Sequence, residues 1–106
     1  MAWTLLIVAG LLETGFAIAL KYSDGFSRLL PSLLFLAFAA ASFSLLNEAL
    51  KTLPVGTAYA VWTGIGAAGT ALVGVLALGE PATAMRFAAI GLIVAGVVVL
   101  QAAGGH

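Results

Sequence analysis

The sequence places one carboxylic acid, Glu13, in the middle of an apolar segment. Residues 2–12 ahead of it are almost entirely apolar, and the apolar character resumes after it. An ionisable side chain at the centre of a membrane costs about 3 kcal/mol, and it usually faces a bundle interior, a water-filled cavity or an ion pathway. The alternative is a permanently protonated acid that hydrogen-bonds a neighbouring helix.

Glu13 could exchange a proton for a cation. A low-dielectric environment favours the neutral acid, whereas a nearby cation favours the carboxylate, so the same group can hold either one. Mutual exclusion of proton and cation is the mechanism of an antiporter. Glu48 and Glu80 are expected at the membrane interface instead, near helix ends. The bases are also at predicted helix ends, so none should neutralise Glu13 permanently: Lys21, Arg28, Lys51 and Arg86.

Aromatic and hydroxyl side chains in two other apolar segments could complete a site around Glu13. Tyr59 and Trp62 are three residues apart and therefore share a helix face. They could form a wall against an organic cation and hydrogen-bond the carboxylate, or they could be ordinary interface aromatics. Ser42 could donate a hydrogen bond to Glu13 or bond back to its own helix.

Four apolar segments must position these side chains: residues 3–21, 29–50, 56–78 and 82–103. Each is close to the ~20 residues that cross a bilayer as a helix. The 106 residues are 63% hydrophobic and 8% charged, with a mean hydropathy of +1.21. The sequence therefore predicts an all-α membrane protein, a single four-helix transmembrane domain over residues 1–106.

Composition also excludes several classes of function. The net charge is zero, so a nucleic-acid-binding surface is excluded. There is no cysteine, and the one histidine is His106, so neither a metal site nor a cofactor is expected. Paired catalytic carboxylates, a nucleophile with its base and a phosphate-binding loop are missing, which argues against an enzyme. A cleaved signal peptide is a poor alternative for the first segment because Glu13 interrupts it.

Small residues predict where helices bend or meet. Gly64 and Gly66 remove two side chains within one turn of the third segment, which favours a kink. In the fourth segment, Gly91, Ala95 and Gly96 would allow close helix packing, so this helix is expected to mediate dimerisation. Three remaining helices are too few to enclose a substrate path. The working unit should therefore be at least a dimer.

Orientation in the membrane is only weakly encoded. Lys21, Arg28 and Arg86 lie on one side and Lys51 alone on the other. Because lysine and arginine counts near helix ends set orientation, a bias this small allows insertion in both directions. The charge count therefore does not settle the topology, and a dual-topology protein would have this pattern.

These features together resemble the small multidrug resistance family. The resemblance covers the whole chain and depends most on LPVGTAYAVWTGIGAAG at Leu53 to Gly69, with GLLE at Gly10 to Glu13 and KYSDGFSRLLPS at Lys21 to Ser32. These blocks are more similar to the guanidinium-exporter subtype than to the quaternary-ammonium subtype. The resemblance implies a protein of the bacterial inner membrane. It also implies an antiparallel homodimer that exchanges protons for guanidinium or substituted guanidinium cations.

The resemblance further implies a role for individual residues. Glu13 of both subunits would share a central site surrounded by Tyr59, Trp62 and Ser42. The third helix would kink at Gly64 to Gly66, and the fourth helix would form the dimer interface.

One position departs from the family pattern. Phe16 lies where guanidinium exporters usually have tryptophan, so the ring is kept and the indole donor is lost. This change leaves open a broader exporter of quaternary ammonium and other hydrophobic cations. Two further alternatives are a proton-carrying rotor subunit and an obligate heteromer with a paralogous partner.

Overall fold

A computed structural model describes residues 1–103, and His106 lies outside them. The chain forms four helices, which are α1 (Ala2–Tyr22), α2 (Leu29–Ala49), α3 (Val55–Ala77) and α4 (Ala84–Ala102). All four are long and apolar enough to cross a membrane. Within residues 1–103 there is no strand. The prediction of an all-α chain with four membrane-spanning helices is therefore confirmed.

The helix ends are set by local chemistry in the connecting segments. Helix α4 begins two residues later than the predicted segment because Thr83 caps it, its hydroxyl accepting the backbone N–H of Arg86 at 3.1 Å. The turn between α1 and α2 passes through positive φ at Asp24, Gly25 and Phe26, at 49°, 70° and 67°. This left-handed stretch reverses the chain within six residues, between the end of α1 and the start of α2.

Helix α1 is at the centre of the packed unit and contacts both α2 and α3. Helix α4 contacts α3 alone among the helices and contains no buried residue. The buried core lies where α1, α2 and α3 meet, near the end of the bundle that holds the α2–α3 connection. Its members are mostly small or aliphatic, with one indole: Leu6, Ala9, Leu46, Ala49, Leu53, Ala58, Val61 and Trp62.

Glycines mark the closest approaches between helices. A Cβ atom at Gly10 of α1 would lie 2.6 Å from the Ile65 side chain of α3. One at Gly64 would lie 2.7 Å from Val97 of α4. Helix α3 runs without interruption through Gly64 and Gly66, so the kink stays a prediction. What these glycines do here is let neighbouring side chains reach the α3 backbone.

Candidate functional site

Glu13 opens onto a cavity of about 480 Å³ between α1 and α3. The side chain is half-buried, and its Oε1 atom is buried without a hydrogen-bond partner among the described residues. Neither of the two ion pairs in this part of the chain includes Glu13. Burying a carboxylate oxygen without a hydrogen-bond partner costs free energy, and such an atom commonly binds a ligand or a proton.

The cavity walls follow the period of an α-helix. Residues on α3 recur at intervals of three and four, which puts them on one face. Most are small, so their face of α3 is a shallow trough opposite the α1 side chains. The α1 wall consists of Glu13, Phe16, Ala17, Ile18 and Lys21, and the α3 wall of Thr63, Gly66, Ala67, Thr70 and Ala71. Leu78 and Glu80, after α3, complete the lining.

The carboxyl group of Glu13 rests directly on the backbone of α3. A Cβ atom at Gly66 would overlap the Glu13 carboxylate, and one at Gly69 would overlap the Thr14 hydroxyl. Thr14 also donates a hydrogen bond from Oγ1 to the carbonyl oxygen of Gly66 at 3.3 Å. Two adjacent polar side chains of α1 are thus positioned by glycines of α3.

Ser42 and Trp62 form a buried hydrogen-bonded chain that ends on α1. The indole Nε1 of Trp62 donates to Ser42 Oγ at 2.9 Å, and Ser42 Oγ donates to the Ala9 carbonyl at 2.7 Å. In an α-helix that carbonyl also accepts the backbone N–H of Glu13, four residues later. These hydrogen bonds therefore link α3, α2 and α1 at a point one helical turn before Glu13.

The hydrogen bonds of Ser42 and Trp62 differ from the ones considered from the sequence. Ser42 was expected to bond Glu13 or its own helix, whereas its proton goes to α1. The indole of Trp62 or the phenol of Tyr59 was considered as a donor to the carboxylate, and the indole N–H donates to Ser42 instead. Both groups support the helix that carries Glu13 instead of contacting its buried oxygen. The rotation of α2 and α3 about their axes explains these partners. It turns both side chains toward the core, where the Ala9 carbonyl of α1 lies.

Tyr59 lies beside Trp62, with ring centroids 5.6 Å apart, and its side chain is 59% exposed. The two rings begin a row of aromatic contacts that continues through Phe43, Phe16 and Phe35. Tyr59 and Phe43 are exposed, whereas Trp62 between them is buried.

Phe16 is the member of this row that also lines the Glu13 cavity. Its ring stacks on Phe43 at 6.1 Å and meets Phe35 edge-on at 5.7 Å. The structure thus brings Glu13 and Phe16 together in the cavity, while Ser42 and Trp62 lie behind it in the core.

Sequence reasoning missed part of the cavity lining. Lys21 and Glu80 were expected to be simple interfacial charges, and both line the cavity. Thr63 lies on the α3 wall together with Thr70. The three- and four-residue spacing of the small residues after Thr63 was the available signal. Glu80 had no such signal, because it reaches the cavity from a turn.

The described residues contain no group of three or more side chains that could hold a metal ion. The predicted dimerisation residues all lie on the exposed surface of α4. A Cβ atom at Gly91 or Gly96 would meet nothing within 4 Å. This surface is open in the single chain.

Comparison with protein families decides the class of the molecule. The family model described as "Small Multidrug Resistance protein" matches residues 1–93. The chain belongs to the small multidrug resistance family. The resemblance based on the Glu13 and Trp62 sequence blocks is therefore confirmed.

Bacterial relatives align with this chain over nearly their full length. A protein named "Guanidinium exporter" from Yersinia pseudotuberculosis is 58% identical over 103 residues, covering 97% of this chain and 99% of the relative. Proteins of the same name from Salmonella typhimurium and Citrobacter freundii are 54% identical, covering 95% of this chain and 96% of each relative. These are names of transporters, not of enzymes. The chain is a multi-pass membrane protein, and its bacterial relatives indicate the inner membrane.

Proposed function

We propose that this chain is a proton-coupled antiporter that exports guanidinium or substituted guanidinium cations. The observation that carries the proposal is the buried Glu13 oxygen without a partner, at the wall of a cavity of about 480 Å³. Relatives that are 54–58% identical are named "Guanidinium exporter", which supports the same substrate class. Proton and cation would compete for Glu13.

The chemistry of the substrate requires the protein to carry the proton. A guanidinium group stays protonated at every physiological pH, so it cannot couple its own titration to transport. It does offer planar N–H donors that match a carboxylate. Glu13 can bind these donors as the carboxylate and release them when it takes up a proton. Each proton that enters would then displace one cation.

A second copy of the chain would complete the site. The open α4 face with Gly91, Ala95 and Gly96 supports a homodimer, because small residues let membrane helices approach closely. We place the two copies antiparallel, with both Glu13 side chains in one central site. Two opposed copies would supply the inverted repeat that many transporters encode within one chain. Bending of α3 at Gly64 and Gly66 would exchange the two access states.

The aromatic row supports a second candidate substrate class. Phe16 offers a hydrocarbon ring at the cavity wall, and it is in contact with Phe35 and Phe43. Ring faces attract cations whether or not these have N–H donors. Quaternary ammonium and other hydrophobic cations are therefore the alternative substrates of the same antiport mechanism.

Transport currents across proteoliposomes on a solid-supported membrane would test both candidates. Guanidinium, an alkyl-substituted guanidinium and tetraethylammonium are applied separately to the wild type and to Glu13→Gln. We expect currents with both guanidinium compounds that disappear in Glu13→Gln. Glu48→Gln is the matched control, because Glu48 is paired with Lys51 at 3.1 Å on the surface, and it should keep wild-type currents.

The outcomes separate the substrate classes. Currents with tetraethylammonium alone would favour the quaternary ammonium candidate. Guanidinium currents that persist in Glu13→Gln would contradict the proposed role of the carboxylate. An inactive wild type that becomes active with a co-expressed paralogue would replace the homodimer with a heteromer.

A further inference from the structure

The cavity that begins at Glu13 ends at a second carboxylate, Glu80, in the segment after α3. The backbone N–H of Glu80 donates to the Gly74 carbonyl at 3.1 Å, which folds the segment back over the end of α3. A Cβ atom at Gly74 would overlap the Glu80 carboxylate. The side chain is therefore turned onto the helix and only 44% exposed. Glycine at position 74 makes this placement possible.

Glu80 is paired with a guanidinium group of the chain itself. Nη1 of Arg86 lies 3.6 Å from Glu80 Oε1, and the Arg86 side chain is 48% exposed. Exposed pairs of this kind are weak because solvent screens the two charges, so the two partners separate readily. Glu80, at the end of the cavity away from Glu13, thus already binds a guanidinium group, the kind of group that the transporter is proposed to export. It binds that group weakly.

The charge balance at this end of the cavity requires Glu80 if cations are to enter. Lys21 also lines the cavity, and its ammonium group repels an approaching cation. Lys21 follows Glu13 by eight residues on α1, which corresponds to about 12 Å along a helix. Glu80 follows α3 at the same end of the cavity as Lys21, so its negative charge offsets the lysine charge for a cation that approaches there.

We propose that Glu80 is an entry site for guanidinium-type cations, where the incoming cation replaces the guanidinium group of Arg86 before it moves on to Glu13. Arg86 is then a tethered competitor that keeps the entry site weak. This inference rests on the proposed function, because it assumes that guanidinium crosses the membrane through the Glu13 cavity.

The test is guanidinium transport over a range of concentrations, with KM and maximal rate fitted separately. Glu80→Gln should raise KM by about threefold or more, since a charge at a cleft mouth acts mainly on the association rate. The effect on the maximal rate should be smaller. Arg86→Gln should lower KM, because it removes the competitor and leaves the backbone N–H that Thr83 caps. Glu48→Gln is the matched control and should keep the wild-type KM.

The double variant distinguishes competition at Glu80 from general repulsion by Arg86. If Arg86 acts through Glu80, Glu80→Gln with Arg86→Gln should have the KM of Glu80→Gln alone. A further decrease in KM on removing Arg86 would overturn the competition. An unchanged KM in Glu80→Gln, or a loss confined to maximal rate, would overturn the entry site while wild-type currents leave the proposed function standing. Absence of guanidinium current in the wild type would instead reject the proposed function, and the entry site with it.

Discussion

At the scale of single residues, the position of Glu13 depends on the missing side chain at Gly66. Gly66→Ala places a methyl group where the Glu13 carboxylate lies. Overpacking of this kind usually costs about 1–3 kcal/mol, and here the displaced group is the proposed binding carboxylate. We expect a loss of guanidinium current that exceeds any loss of thermal stability in detergent. Gly56→Ala is the control, because a Cβ there meets nothing within 4 Å, and it should behave as the wild type.

Ser42 is expected to matter for stability more than for direct binding. Ser42→Ala removes the acceptor of the Trp62 indole N–H and the donor to the Ala9 carbonyl. Unsatisfied buried groups cost about 1–3 kcal/mol, so the thermal unfolding midpoint in detergent should fall. Ser32→Ala provides the comparison, since Ser32 donates to the Arg28 carbonyl at 2.6 Å on the surface and should change the midpoint little. Equal midpoints for the two variants would contradict the structural role of the hydrogen bonds that join Trp62, Ser42 and Ala9.

Competition at Glu13 predicts how substrate binding depends on pH. Protonation removes the negative charge, so guanidinium should bind more weakly as the pH falls. Where Glu13 is mostly protonated, the apparent affinity should fall by about tenfold per pH unit for each proton displaced. Isothermal titration of guanidinium into detergent-solubilised protein at several pH values measures this slope. A pH-independent affinity in the wild type would rule out the competition.

The residue types of the site were predictable, but their partners were not. Glu13, Ser42 and Trp62 stand out from sequence because each is polar or amphipathic within an apolar segment. The sequence gives the position of each residue along its helix. Hydrogen bonding between helices depends instead on how the helices are rotated and how closely they approach. Ser42 therefore pairs with the Ala9 carbonyl, which no sequence pattern marks as an unusual acceptor.

At the scale of elements, the lengths of the apolar segments predict the four helices, and local capping determines where the helices end. A span of about 20 apolar residues has few alternatives in a bilayer, because its backbone must satisfy its own hydrogen bonds. The start of α4 moved only because Thr83 accepts the N–H of Arg86. The path of the segment after α3 was not predictable in this way, since Glu80 reaches the cavity through a turn with Gly79 at a φ of 73°.

Helix α4 gives a prediction at the same scale. Gly96→Leu adds bulk to the open α4 face, where a Cβ meets nothing within the single chain. Leucine is also a better helix former than glycine, by about 0.8 kcal/mol, so the helix itself should not be weakened. If this face forms the dimer, native mass spectrometry should show more monomer and the guanidinium current should fall.

The control for the α4 prediction is Gly56→Leu, which adds the same bulk to an open position outside α4. It should remain dimeric and active. A Gly96→Leu protein that is as dimeric as this control would remove α4 from the proposed interface.

At the scale of the whole molecule, the chain is an incomplete enclosure. Helix α1 is covered by α2 and α3, α4 extends from α3 alone, and the Glu13 cavity is bounded mainly by two helices. An antiparallel second copy would enclose the cavity and would also put one Glu80 at each membrane surface. Entry and exit would then use the same chemistry, as expected for a transporter whose two access states are related by symmetry.

Dual topology can be tested by biasing the insertion of the chain. Lysine and arginine number three near the first and third connections and one on the opposite side. Lys51→Gln makes this three to none, whereas Arg28→Gln with Thr52→Lys and Ala103→Lys makes it two to three. Because these charges set orientation, the two variants should insert in opposite directions. All four positions lie on the exposed surface, so the protomer fold should be unaffected.

An antiparallel dimer needs both orientations, so each biased variant alone should lose most of its guanidinium transport in cells. Co-expression should restore transport, because each variant supplies the orientation that the other lacks. Labelling of a single engineered cysteine near residue 103 from outside the cell reports the orientation of each variant independently of transport. A variant with one uniform orientation and full activity would contradict the antiparallel arrangement, since two parallel copies cannot provide the inverted repeat from which alternating access is proposed to arise.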